Sequence, residues 1–140
     1  MIDERLTLSV DPEKAFYILM KAREFEEKTE ASGLEEGSNP VDDKAVSVLE
    51  DNAEDATEEE LMSALSSLNE DEQLDMVALT WIGRGDFSID EWEAARAEAR
   101  AVTDKHIDLY LSGMPLFSDY LEEGLEQAGY DLDEFERKHF

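Results

Sequence analysis

Apolar residues recur along most of this chain at the three-to-four-residue spacing of a helix. An alternating stretch at 5–10 fits a short strand or an extended strap, and the positions after it predict helices over about 12–30, 58–68, 70–83, 89–112 and 115–128. Residues 76–82 are apolar almost throughout, and a helix that is apolar on every side is normally buried. We therefore predict an all-α fold. It is a compact single-domain bundle of about five to seven helices around a buried central helix at about 70–83, with at most a short N-terminal strand.

Capping and glycine residues mark the ends of the central helix. Asn69 precedes Glu72 by three positions, which is the spacing of a capping box. The glycines of residues 83–86 end the helix, because glycine allows a positive φ between two helices. Gly124 is different, since it falls inside a predicted helix, where glycine costs about 1 kcal/mol relative to alanine. Close approach of a second helix is the simplest reason for a glycine at that position.

The charge of the chain is strongly one-sided. Its 140 residues include 38 acidic and 12 basic side chains, for a formal net charge of −26. Residues 35–75 hold fifteen acids and one base, a net −14, which is more than half of the excess. This charge argues against direct binding to DNA, RNA or an anionic membrane, because each phosphate contact needs a cation. We treat residues 1–140 as one acidic domain with a mobile acidic segment at about 31–57.

Several features indicate a cytoplasmic protein. The chain has no cysteine, which fits a reducing compartment. Its first residues lack the basic start and apolar stretch of a signal peptide. The longest fully apolar run covers residues 15–20, far short of the roughly 20 residues that a membrane-spanning helix needs.

One short stretch looks like part of a calcium-binding loop. Residues 85–91 (GDFSIDE) match the second half of an EF-hand, with Glu91 as the bidentate ligand. The first half does not match, because Ile82 and Arg84 stand where calcium needs oxygen ligands. Ser88 and Glu91 also have the spacing of a capping box. We interpret the stretch as a junction between two helices.

A small set of residues forms a candidate interaction or junction site. Arg84 is one of few cations, and we expect it to pair with a nearby carboxylate, with anion binding as the alternative. His106 falls on the apolar face of the predicted 89–112 helix, where a core histidine is the usual outcome and a catalytic or metal role the alternative. Trp81 and Trp92 fit the core, unless they line a groove for a partner peptide. The candidate set is Trp81, Arg84, Asp86, Glu91, Trp92 and His106.

No catalytic constellation is recognisable. The chain lacks a phosphate loop, a dinucleotide fingerprint and a Ser or Cys nucleophile in a known setting, so we assign no catalytic, cofactor-binding or metal-binding residue and expect no cofactor and no enzyme. The charge favours a soluble, non-enzymatic module that binds another protein, a basic one, through an acidic surface. Two alternatives stay open. One is a DNA mimic that occupies a nucleic-acid-binding protein, and the other is a carboxylate-based divalent-metal-binding or hydrolytic protein around residues 83–91, with or without His106.

Two stretches resemble a known family. They are residues 72–86 (EQLDMVALTWIGRGD) and 110–125 (YLSGMPLFSDYLEEGL), together with the opening at 8–24. With these, the chain resembles a family of small acidic bacterial proteins, mainly proteobacterial, that is classed as a domain of unknown function. The resemblance covers roughly residues 6–129. It implies a bacterial, intracellular, stand-alone domain, and it implies no activity, cofactor or site residue.

Overall fold

The computed structural model describes residues 6–36, 56–103 and 106–139. Within these ranges the chain is helical, without a strand, so the all-α prediction is confirmed. A 3-10 turn at Ile89–Glu91 precedes the fourth helix. The helices are α1 (Pro12–Glu36), α2 (56–66), α3 (Glu70–Arg84), α4 (Trp92–Thr103), α5 (Ile107–Ser112), α6 (Phe117–Gln127) and α7 (Leu132–His139).

Helix α3 is the buried centre of the bundle, as its sequence predicts. Residues 74–80 and Ile82 are all buried, and the helix packs mainly against α6 and α4. Its start is a capping box in which the backbone N–H of Glu72 donates to Asn69 Oδ1 at 2.9 Å and that of Asn69 donates to Glu72 Oε1 at 2.8 Å. Its end is Gly85, whose φ of 99° is the left-handed conformation that glycine adopts without strain.

Two glycines let α3 and α6 cross in backbone contact. A Cβ atom built on Gly124 would lie 2.0 Å from the carbonyl oxygen of Leu79, and one built on Gly83 would lie 1.7 Å from that of Tyr120. The close approach predicted from Gly124 is therefore confirmed. Gly83 shares this role, whereas the predicted positive φ is found at Gly85.

The N-terminal segment is a strap rather than a strand. The backbone N–H of Leu6 donates to the carbonyl of Ala128 at 2.8 Å, and the hydroxyl of Tyr130 donates to the carbonyl of Leu6 at 2.6 Å. Further along, the backbone N–H groups of Ser9 and Val10 donate to a carboxylate on α3. These bonds hold residues 6–10 across the bundle between α3 and the end of α6.

The first helix is longer than predicted. We expected it to end near residue 30, but α1 continues through Gly33 to Glu36. A single glycine costs only about 1 kcal/mol in a helix, which neighbouring helix-forming residues can offset. Residues 31–36 and 56–57, the ends of the predicted mobile segment, are helical. Residues 37–55, the rest of that segment, lie outside the described residues.

The predicted helix at 89–112 is also wrong, because it consists of three pieces. The 3-10 turn leads into α4, which ends at Thr103, and α5 begins at Ile107. In one continuous helix, His106 would share the face of Ala99, seven residues earlier. The break changes which residues after it face the core, so that Ile107 and Leu111 are buried and His106 is not. A helical period of 3.6 residues cannot by itself reveal such a shift.

Candidate functional site

The junction between α3 and α4 contains most of the predicted site residues. At the end of α3, the guanidinium of Arg84 folds back onto Asp86, with Nε at 2.8 Å and Nη2 at 2.6 Å from Oδ2. The hydrogen bonds that Arg84 donates to Asp86 raise the pKa of Arg84 above its ordinary value. The expected pairing of Arg84 with a carboxylate is therefore confirmed. The pair is locally neutral, which weakens the case for anion binding at this point.

The stretch that resembled half of a calcium loop is a helix cap. The backbone N–H of Ser88 donates to Glu91 Oε1 at 2.9 Å, and the two residues form a capping box. The carboxylate of Glu91 is thus used at the start of a helical turn, as the capping interpretation predicts. In the ranges that the structure describes, no three His, Asp or Glu side chains lie close enough together to hold a metal ion.

The two tryptophans have different surroundings. Trp92 is a core residue, 7% exposed, which confirms the core interpretation. Trp81 is half-buried, and its indole Nε1–H donates to the hydroxyl of Tyr110 at 2.9 Å. Its ring stacks on Phe87 with 6.0 Å between the ring centroids. The Trp81 side chain thus joins α3, α5 and the junction loop.

His106 does not join the junction residues in a shared core. It is exposed and stands immediately before α5, so the predicted position on a buried helix face is wrong. The cause is the break between α4 and α5 described above. The site residues therefore divide into a packed junction and one separate surface histidine.

Sequence reasoning missed a buried ionic network around Asp75. This carboxylate is 1% exposed and accepts a hydrogen bond from Arg96 Nε on α4 at 2.8 Å. Its second oxygen accepts the backbone N–H groups of Ser9 and Val10 in the strap, the latter at 3.1 Å. A signal was present, because Asp75 precedes Leu79 by four positions on the buried face of α3, where an acid needs a partner.

A second network joins α1 to the start of α6. The carboxylate of Glu26 accepts the backbone N–H of Ser118 at 3.0 Å and its hydroxyl at 2.7 Å, while Ser118 is 1% exposed. Next to it, Arg23 Nη2 lies 3.0 Å from Asp119 Oδ1 and 2.9 Å from Glu122 Oε1. An acid from α1 therefore caps α6, in place of a side chain from the preceding turn.

An apolar groove lies beside this network, at the turn between α5 and α6. It has a volume of about 300 Å³ and is lined by Phe25 and Glu26 of α1 and by residues 112–116. At its edge, Leu116 is 50% exposed and has a φ of 63°. That left-handed conformation costs a residue with a Cβ roughly 1–2 kcal/mol. Leu116 therefore combines a half-exposed apolar side chain with an unfavourable backbone conformation.

Four of the described cations form ion pairs between helices. They bridge helices, as Lys21 does to Glu60 at 2.6 Å between α1 and α2, and as Arg96 does between α4 and α3. These cations are Lys21, Arg23, Arg96 and Arg100, and Arg84 pairs instead with Asp86 in the junction loop. The structure therefore neutralises much of its positive charge internally, and the excess of carboxylates is presented to solvent.

Crowding of acids near the end of α6 affects Glu126. The pKa of Glu126 is raised above its ordinary value. The largest cause is partial loss of hydration, and repulsion from Glu123, Glu122, Asp131 and Asp133 adds to it. A raised pKa means that the folded chain binds this proton more tightly than the unfolded chain does. The resulting stability is present below the unfolded pKa and is lost as the pH rises through the folded pKa.

Replacing Glu126 with glutamine should therefore stabilise the protein at pH 7 and change little at pH 3, below the ordinary value of 4.5. The measurement is urea unfolding of wild type and Glu126→Gln at both pH values. High salt should reduce the difference at pH 7, because it screens repulsion between exposed charges. A difference that is the same at both pH values would contradict this explanation.

The fold and site define an acidic all-α bundle with a capped helix junction and internally paired cations. Residues 58–130 match the model of the family described as "protein of unknown function (DUF3775)". That match covers more than half of the chain, and the chain belongs to this family. Both quoted stretches, 72–86 and 110–125, lie inside the match, whereas the opening at 8–24 lies outside it. No curated protein and no solved structure matches the chain. In the part of the chain that the structure describes, no helix is both long and apolar enough to cross a membrane.

Proposed function

We propose that this protein is a non-enzymatic interaction module that binds a basic partner protein in a bacterial cytoplasm. The observation that supports it is the pairing of cationic side chains with carboxylates of the same chain. Arg23, Arg84 and Arg96 each lie within 3.0 Å of a carboxylate of the same chain. With these charges compensated, the net −26 acts on the surroundings through exposed carboxylates.

Such a surface acts on association in two ways. It steers an oppositely charged protein toward the complex and raises the association rate, and it rejects acidic competitors. Exposed carboxylates at Glu58 and Glu59 on α2 and at Glu93 and Glu98 on α4 contribute to this field. Because they are exposed, their effect depends on ionic strength, with a screening length of about 10 Å at 0.1 M salt and about 3 Å at 1 M.

The test is an affinity pull-down with the full chain, washed at low salt and eluted with a salt step. We expect a basic protein that is released by the step and that binds more weakly to the double variant Glu58→Gln, Glu59→Gln. The matched control is Ser63→Ala, an exposed position on the same helix whose replacement leaves the charge unchanged. Retention of nothing at low salt would refute the proposal.

A DNA wash in the pull-down and a separate calorimetry experiment test the two alternatives. If duplex DNA in the wash displaces the captured protein, the DNA-mimic function would replace this proposal. If calorimetry with calcium, magnesium, manganese or zinc gives binding heat that Glu91→Gln removes, the metal-binding function would replace it.

A further inference from the structure

We infer that the groove between α1 and the α5–α6 turn is the docking site for one large apolar side chain on a Lys- and Arg-rich segment of the partner. This inference rests on the proposed function, since it takes the basic partner as given. It adds where the partner binds and what recognises it besides charge. The groove-lining residues are Phe25, Glu26, Ser112, Gly113, Met114, Pro115 and Leu116.

The size and lining of the groove suit an apolar side chain. Its volume of about 300 Å³ is at the small end of the range for ligand pockets, and it would hold a single leucine, methionine or phenylalanine. Its walls come from Phe25, Met114 and Pro115. Glu26 is the charged residue of the described lining, and both of its oxygens already accept hydrogen bonds from Ser118. The groove therefore offers apolar contact rather than a free polar partner.

Leu116 gives the second reason to place the contact here. It is 50% exposed, although burial of a leucine is favourable, and its φ of 63° is a conformation that leucine rarely adopts. Strained residues of this kind are found at ligand-binding positions. Leu109, on the preceding helix, is 58% exposed. An incoming apolar side chain would remove Leu116 from water without any change in the backbone.

The charge around the groove determines which occupant fits. Arg23 is balanced by Asp119 and Glu122, and Arg84, which touches Met114 Sδ at 3.6 Å, is balanced by Asp86. Glu24 and Glu27 are exposed on the α1 turns beside the groove. The surroundings are therefore net negative. A second copy of this chain, also at −26, would be repelled, whereas Lys and Arg residues flanking an apolar anchor would be attracted.

The test uses two fluorescein-labelled peptides, one with a central Leu between Lys residues and one with Ser in place of that Leu. Binding to the full chain is measured by fluorescence anisotropy at low salt. We expect the Leu peptide to bind about tenfold more tightly, the effect of burying one apolar side chain. In the variant Leu116→Asn, we expect that advantage to fall to about twofold or less.

The variant is chosen so that loss of binding is not loss of folding. Asparagine tolerates the left-handed conformation, so the Tm of Leu116→Asn should equal or exceed that of wild type. The matched control is Tyr17→Asn, which removes another exposed apolar side chain, 44% exposed, from α1 away from the groove. The Tyr17 variant should keep the full preference for the Leu peptide.

Three results would count against the inference. Equal, salt-sensitive binding of both peptides would reject the groove as the docking site, while the proposed function as an acidic interaction module would still hold. Absence of binding by either peptide at low salt would reject both proposals. A dimer in sedimentation that Leu116→Asn abolishes would show that a second copy, and not a basic segment, occupies the groove.

Discussion

Replacing Gly124 with alanine should destabilise the protein by about 3 kcal/mol or more. The added methyl group would lie 2.0 Å from the carbonyl oxygen of Leu79, a backbone atom that cannot rotate away. Helices α3 and α6 would have to separate, although they share an extensive contact. At an open helix position the same change stabilises by about 0.5–1 kcal/mol, so even the sign of the effect depends on the close approach.

Urea unfolding, followed by circular dichroism and tryptophan fluorescence, measures this change. Glu123→Ala is the control, because it alters the neighbouring exposed residue on α6 and should change the free energy of unfolding by no more than about 0.5 kcal/mol. If Gly124→Ala does not fold while Glu123→Ala does, the clash costs more than the whole free energy of unfolding, which is the expected direction of the effect. A Gly124→Ala protein as stable as wild type would mean that α3 and α6 do not cross as closely as described.

The features that could be predicted from the sequence are those encoded in short stretches. The apolar run at 76–82 predicted a buried helix, the Asn69 and Ser88 caps predicted helix starts, and Gly124 predicted a close crossing. Each of these depends on residues within about one or two helical turns, where the chemistry of a position is set by its immediate neighbours.

The features that could not be predicted depend on residues far apart in the chain. Asp75 has hydrogen-bond partners in two distant parts of the chain. One is Arg96, and another is the backbone of Val10 in the strap, 65 residues away. The break before Ile107 depends on what α5 packs against, because the apolar spacing is compatible with one helix or two. The misplacement of His106 follows directly from that ambiguity.

The candidate site shows the same division. The sequence located the α3–α4 junction and the Arg84 pairing, because Asp86 is two residues away. It did not locate the groove, which brings Phe25 together with residues 112–116. The left-handed φ of Leu116 has no signal in the residue type, since leucine is unfavourable in that conformation.

The buried network around Asp75 should be the second most sensitive point of the molecule. In Asp75→Asn the amide offers one acceptor oxygen, and its NH₂ group can only donate. The site presents donors from Ser9, Val10 and Arg96, so at least one donor loses its partner and the guanidinium loses its counter-charge. Breaking one side of a buried ion pair costs about 3–5 kcal/mol, and we expect about 3 kcal/mol because the Arg96 side chain keeps 19% exposure to water.

The matched control for Asp75→Asn is Glu70→Gln, the same acid-to-amide change on the same helix. Glu70 Oε2 lies 3.7 Å from Arg100 Nη1, also between α3 and α4, but both side chains are about two-thirds exposed, at 66% and 64%. That pair should contribute no more than about 0.5 kcal/mol. Hydrogen exchange provides a second readout. The backbone amides of Ser9 and Val10 should exchange faster in Asp75→Asn than in wild type, and their exchange rates should be unchanged in Glu70→Gln. Equal unfolding free energies for the two variants would show that Asp75 does not hold the strap, since a buried carboxylate and an exposed one would then contribute alike.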